Sequence, residues 1–346
     1  MKNKRRHKDS ITPDLRLSII LTGLLMLSAG RYLIEVPQSV GRMLVTLFLV
    51  TVSAAPLIFS ANPPLFKVAA ESPNRVRRLS AVAFLTLGLS AALWGFAAGQ
   101  AGPHTLTWTT IWMIGALLLT ALIDPARLLF KTLLLIWLWL PFLIGHMSNW
   151  AAPLGRPLVQ PLAFAALLLT VGLHIYLPRL DVGFTFRLKA DEVRQIVLNF
   201  ILLFFVLLIF APFTGLLTIT DHLPSFLTLL TQGVLLFFLV ALPEELLFRA
   251  VFYKYFLQLF QGKKWAVGTA IFASSLLFAL AKSRSPLPPS GPYFMAADAP
   301  FSWSYALFSF VAGGFYAWIF IRTKKITAAV WLHGLLEWIW MVFFRG

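Results

Sequence analysis

Six residues in the C-terminal part of the chain have the types and spacing for acid–base chemistry: Glu244, Glu245, Arg249, Lys282, His333 and Glu337. The run Val240-Ala241-Leu242-Pro243-Glu244-Glu245-Leu246-Leu247-Phe248-Arg249 puts two adjacent carboxylates inside an apolar helix. At mid-bilayer each acidic side chain costs about 2.5–3.5 kcal/mol on insertion scales. Glu245 and Arg249 are four residues apart, with the glutamate on the favourable N-terminal side, so they can pair on one helix face. Glu244 points roughly 100° away and is left for something else. A single salt bridge that locks helices explains one glutamate but not two. Pro243 predicts the start of a new helical segment or a kink, which would free backbone groups beside the carboxylates. Further on, Trp331-Leu332-His333-Gly334-Leu335-Leu336-Glu337 sets His333 and Glu337 four apart on one face. An imidazole with a carboxylate one turn away is oriented to act as base or electrophile. By itself such a pair is more often a plain helix hydrogen bond. Gly334 beside it allows close helix approach. Together the residues suggest a carboxylate that activates water, an imidazole opposite it and an arginine that orients the pair.

These groups must be positioned by elements that suit an apolar chain. The 346 residues are 59% hydrophobic and 12% charged, with a mean hydropathy of +0.82. Soluble domains carry about 45–50% apolar and about 25% charged residues, so a soluble globular enzyme is excluded. The 32 Phe and 12 Trp exclude disorder. No cysteine is present, which removes disulfides, zinc-thiolate sites and a cysteine nucleophile. The net charge of +16 lies in short clusters between apolar runs. That is the pattern of a polytopic membrane protein, and it needs no nucleic-acid partner.

Apolar runs of spanning length fall at 17–36, 43–60, 80–98, 105–123, 128–147, 158–177, 195–213, 226–250, 265–283, 302–321 and 326–344. The expected fold is an all-α polytopic membrane protein of about eleven transmembrane helices. The runs are too long and too uniform for a β-barrel. Nearly all Lys and Arg outside the spans fall in every second loop. Only Arg42, Arg156, Arg284 and Arg345 lie on the opposite side. The alternation predicts a cytoplasmic N-terminus and an external C-terminus. The basic inner loops are expected to meet anionic lipid. The first span lacks a clear small-residue cleavage site and reads as an anchor. The polar stretch Pro178 to Arg194 marks a domain break between an N-terminal six-span region, 1–190, and a five-span region, 191–346. The proline-rich loop from Ser283 to Pro300 is expected on the outer surface. Arg31 and Glu35, four apart, read as a paired or snorkelling duo near the outer interface. His146 and His174, near span ends, read as interfacial residues.

At this point the residues resemble those of a known family, the CPBP membrane proteases, also called the Abi or type II CAAX prenyl endopeptidase family. Its first motif, Glu-Glu-x-x-x-Arg, is matched in full by Glu244, Glu245 and Arg249. The run Ser274 to Ala281 looks like the second, Phe-x-x-x-His. Gly313 and Gly314, then Arg322-Thr323-Lys324, then His333 look like the third, His-x-x-x-Asn or Asp, and its lead-in. The resemblance covers roughly 195–345 and says nothing about the first six spans. It implies that a first-motif glutamate and the second-motif histidine activate water, with the later histidine and asparagine stabilising an oxyanion.

Two positions depart from that pattern. Lys282 stands where the second motif ends in histidine, and Glu337 where the third ends in Asn or Asp. Glu337 swaps an amide donor for an acceptor when ionised. An ammonium has no lone pair to accept a proton or bind a metal. Lys282 could instead stabilise an oxyanion, act as a base if burial favours the free amine, or neutralise a motif glutamate and freeze the site. His222 and His333 are the only imidazoles in the C-terminal half, and His222 falls in an outer loop, so neither a metal nor another cofactor is expected. A straight ninth span would also put Lys282 near its outer end, while His333 lies only about two turns into the last span from the inside. If the two meet, the ninth span is re-entrant, tilted or preceded by an interfacial helix.

The leading expectation is an intramembrane endopeptidase of a bacterial cytoplasmic membrane. By family resemblance its substrates would be membrane-associated peptides or proteins, with or without a prenyl group. Glu244 or Glu245 would activate water, His333 would be the electrophilic partner and Arg249 the orienter. The alternatives are an inactive relative acting as a scaffold, immunity or maturation partner, with Lys282 as its main support, and a transporter built around the intramembrane charges.

Overall fold

The computed structural model describes residues 11–35, 40–61, 72–97, 102–122, 127–144, 156–210, 218–219, 223–284 and 301–345. The side chain of Glu35, both His146 and His222, and the proline-rich segment 285–300 lie outside the described residues.

The protein is an all-α polytopic membrane protein. Among the described residues its helices are α1 (Ile11–Glu35), α2 (Val40–Ser60), α3 (Pro73–Ala97), α4 (Pro103–Leu122), α5 (Leu128–Leu143), α6 (Arg156–Val171, continued by a wide turn to Tyr176), α7 (Ala190–Phe210), α8 (Phe226–Leu259), α9 (Ala266–Lys282), α10 (Trp303–Thr323) and α11 (Ile326–Phe343). Eight of these are long and apolar enough to cross a membrane, while α5, α6 and α9 are apolar but shorter. The 17 residues of α9 span about 26 Å at about 1.5 Å per residue, slightly less than a hydrocarbon core of about 30 Å.

Contacts between helix ends show that the helices alternate in direction. Near one face, Ser18 at the start of α1 donates to the Ile58 carbonyl near the end of α2 (3.4 Å). On the same pattern, Lys131 and Thr132 of α5 meet Gln258 (3.2 Å) and Tyr255 (2.6 Å) near the end of α8. Lys325, between α10 and α11, bonds Glu192 of α7 at 2.8 Å and the Arg187 carbonyl at 3.0 Å. At the other face Ser302 donates to the Ser283 carbonyl (2.8 Å), and Arg284 to Ile144 (3.3 Å). There a short antiparallel pair joins β1 (Thr218–Ile219) to β2 (Phe344–Arg345), directly after α7 and α11. Each contact joins ends that strict alternation places together. The short helices α5 and α9 therefore traverse the bundle like the long ones.

α8 is the central element, and every residue from 235 to 253 is buried. A helix apolar all round belongs inside a bundle, which is what its sequence dictates. Pro243 neither begins a new helix nor breaks this one. The chain stays helical through it, with wide π turns at Phe237–Ala241 and Leu246–Tyr253 on either side of Leu242–Glu245. Proline has no N–H to donate, and wide turns re-pair the backbone within the buried helix. α8 also runs nine residues beyond the expected end of its span at 250, because its last turns pack against α9 and α5.

His174 departs from expectation as well. It sits in the wide turn ending α6, is 5% exposed, and its Nδ1 lies 3.0 Å from the Thr170 carbonyl. It is a core residue, not an interfacial one. Its neighbour Thr170 also accepts from the buried Trp139 indole (3.0 Å).

Candidate functional site

Three helices bring the six sequence-derived residues into one buried cluster. α8 supplies Glu244, Glu245 and Arg249, α9 supplies Lys282, and α11 supplies His333 and Glu337. Glu245 and Arg249 make the expected pair, Oε2 to Nε at 3.1 Å, with both side chains fully buried. Arg249 also donates from Nη2 to the Gly313 carbonyl of α10 (3.1 Å), and its guanidinium lies 4.5 Å from the Phe278 ring centre. Gly313 is needed for this approach, since a Cβ there would come 3.2 Å from Arg249 Nη2.

His333 sits between the carboxylates. Its Nδ1 is 2.8 Å from Glu245 Oε1, and its Nε2 is 3.1 Å from Glu337 Oε1 and 3.6 Å from Glu244 Oε2. Tyr316 stacks on the ring at 4.6 Å and 13°, and Phe278 meets it edge-on at 5.5 Å. The imidazole is thus fixed in plane and position by two aromatic walls.

Lys282 closes the other side of the cluster. Its Nζ lies 2.8 Å from Glu244 Oε1 and 2.9 Å from Glu337 Oε1. The expected mismatch in depth disappears without a re-entrant segment. The short α9 ends at Lys282, and its partner on α11 is Glu337, one turn beyond His333 toward the same face. Three carboxylates thus face two cations and one imidazole in a buried cluster. Such a set holds together only with close pairing, because an unpaired buried charge is very costly.

The arrangement leaves few groups available. Glu244 Oε2 faces His333 Nε2 at 3.6 Å and has no hydrogen-bond partner among the described residues, while Nε2 itself lies closer to Glu337 Oε1. Ser275 Oγ and Arg249 Nη1 are likewise buried without one. A cavity of about 60 Å³ adjoins the cluster, lined on its polar side by Lys282, Tyr305, Ser309, His333 and Glu337. Neither Glu244 nor Glu245 reaches it. Glu244, His333 and Glu337 can offer ligand atoms within 4.8 Å of one another, the spacing of a metal site. Two of those carboxylates already hold the Lys282 ammonium, which stands where a cation would.

Tyr305 and Tyr316 belong to the site but carry no motif. The only sequence signal for Tyr316 is a hydroxyl-bearing ring deep inside an apolar span, where tyrosine more often marks the interface.

Residues 226–339 match the family described as Type II CAAX prenyl endopeptidase Rce1-like. This C-terminal part, less than half of the chain, is Rce1-like, and it holds every residue of the cluster. Comparison with curated proteins and with solved structures finds no match. The protein is therefore an integral membrane protein with a CAAX-protease-like C-terminal part.

Proposed function

We propose that this Rce1-like site has exchanged its hydrolytic pair for an ion-pair lock. On this reading the protein binds a membrane-associated peptide or protein as a scaffold, immunity or maturation partner and does not cleave it. The supporting observation is the position of Lys282: the residue standing for the second-motif histidine lies 2.8 Å from Glu244 and 2.9 Å from Glu337. A general base needs a free lone pair within about 2.6–3.2 Å of the water it deprotonates. Glu244 Oε1 already accepts from an ammonium, and that ammonium has no lone pair of its own. Glu337 accepts from the same ammonium, where the family's amide would donate to an oxyanion. The two departures are chemically matched, each supplying what the other needs.

One observation favours retained hydrolysis as a second reading. Glu244 Oε2 has no hydrogen-bond partner among the described residues and lies 3.6 Å from His333 Nε2. In that case Glu244 would activate water through Oε2, with His333 and Lys282 as electrophiles. Topology completes the proposal. The basic face, with the N-terminus, is cytoplasmic and lies on anionic lipid, in a bacterial cytoplasmic membrane. Residues 1–190 form an N-terminal six-span region that packs against the C-terminal part through α1, α5 and α6.

The test is a cleavage assay on the full chain in lipid nanodiscs, using prenylated and unprenylated membrane-anchored peptides read by mass spectrometry. The wild type is expected to bind by photo-crosslinking and leave the peptides intact. Lys282→His combined with Glu337→Asn is expected to gain cleavage that Glu244→Gln then removes. Cleavage by the wild type that Glu244→Gln abolishes would establish the peptidase reading instead.

A further inference from the structure

A second cavity, several times larger than the first, lies on the other side of α11. It encloses about 430 Å³ between α1, α8 and α11. Successive positions of α11 divide the two cavities. His333, Leu336 and Glu337 face the ion-pair cluster, whereas Trp331, Gly334, Leu335 and Trp338 face the groove. Leu17, Leu21 and Leu24 of α1 form the opposite wall. The α8 wall is held in place by the Trp338 indole, which donates to the Leu229 carbonyl (2.9 Å), and by Phe237 against Trp331 (4.7 Å). Among the described residues, none that lines the groove is charged. Its volume is that of a ligand site, which is typically about 300–1,000 Å³.

One end of the groove reaches the basic face. There Leu17 follows Arg16 and Phe186 precedes Arg187, and both arginines are exposed. Phe186 packs on Phe238 at 6.1 Å, and the Arg187 carbonyl is fixed by Lys325 (3.0 Å). An apolar slot inside the membrane-spanning region, with exposed arginines next in sequence to the residues that line its end at the basic face, is complementary to one class of molecule. Its chain is apolar and its head is anionic and at the depth of the interface.

We propose that this groove is a binding site for an anionic phospholipid, with one acyl chain between α1, α8 and α11 and its phosphate against Arg16 and Arg187. The site is independent of whether the ion-pair cluster hydrolyses anything. It makes α1, which lies outside the Rce1-like part, one wall of a shared site.

The experiment is native mass spectrometry of the full chain in detergent, with added phosphatidylglycerol, phosphatidylcholine or inorganic phosphate. Wild type is expected to retain phosphatidylglycerol roughly thirtyfold better than phosphatidylcholine, the effect of two basic contacts at a membrane surface. Arg16→Gln with Arg187→Gln is expected to abolish that preference and keep weak binding of both lipids. Leu21→Trp, which fills the groove, is expected to abolish binding of both. Leu230→Trp, at a half-exposed groove position of α8, repeats that test should the first variant fold poorly. Unchanged retention in the groove-filled variant overturns the proposal. So does equal retention of the two lipids by wild type, displacement by inorganic phosphate alone, or a co-purifying peptide in place of lipid.

Discussion

Lys282 and Glu244 come from adjacent antiparallel helices and meet at 2.8 Å, with Glu337 of a third helix completing the clamp at 2.9 Å. The lysine side chain is 9% exposed and that of Glu244 2%. Removing one partner from a buried pair costs about 3–5 kcal/mol, because the other charge is stranded. Lys282→Met should therefore lower stability by that order, read as the midpoint of thermal unfolding in detergent. Adding Glu337→Gln should recover part of the loss. If the two changes prove additive, the ammonium does not hold the cluster together.

Arg249 links α8 to α10 by geometry as much as by charge. It pairs with Glu245, donates to the Gly313 carbonyl and lies against the Phe278 face. A lysine cannot reproduce a planar fork that serves three partners. Arg249→Lys should cost about 1.5–3 kcal/mol, the value of a charged hydrogen bond. Gly313→Ala should cost about 1–3 kcal/mol by overpacking, since its Cβ would press on Arg249, Phe278 and Ser275 at 3.2 Å. The two effects share a contact, so the double variant should lose less than the sum of the singles. A double-mutant cycle by thermal unfolding measures this directly.

Much of this arrangement could be read from the sequence, for reasons that differ by residue. The helices were legible because bilayer thickness fixes span length, and their alternation because basic loops mark one side. The Glu245–Arg249 pair follows from i,i+4 spacing alone. The Lys282–Glu337 contact could not be derived that way, since its partners are 55 residues apart and depend on how far α9 rises. The wide turns around Pro243 were illegible because proline is compatible with a kink, a helix start or a π turn. Only burial on every side selected the last. Position near a span end does not reveal which face of a helix is covered, so the sequence does not mark His174 as the core residue it is.

Tyr316 holds His333 by stacking, at 4.6 Å and 13°. Its ring is 1% exposed, so truncation leaves a cavity beside the imidazole. Tyr316→Ala should cost on the scale of other large aromatic truncations, about 3–5 kcal/mol. Tyr316→Phe keeps the ring and should cost much less. If both variants unfold at the same temperature, the hydroxyl and not the stacked ring is what matters.

The turn that launches α11, and with it His333, is tied to the first turn of α7 and to the segment before it by two unlike devices. One is the ion pair between Lys325 and Glu192, whose side chains are 17% and 11% exposed. The other is backbone packing: Ile326 donates to the Val182 carbonyl at 3.0 Å, and Gly183, at φ +58°, fits directly beneath the Lys324 carbonyl. A pair near the surface is worth about 0.2–1 kcal/mol, so Lys325→Ala should lower stability only slightly. Gly183→Ala should be much worse. It forces a side chain into the left-handed region, at about 1–2 kcal/mol, and drives its Cβ into the Lys324 carbonyl. The expected ranking of unfolding temperatures is wild type, then Lys325→Ala, then Gly183→Ala. The reverse order would mean that charge, not backbone fit, sets the position of α11.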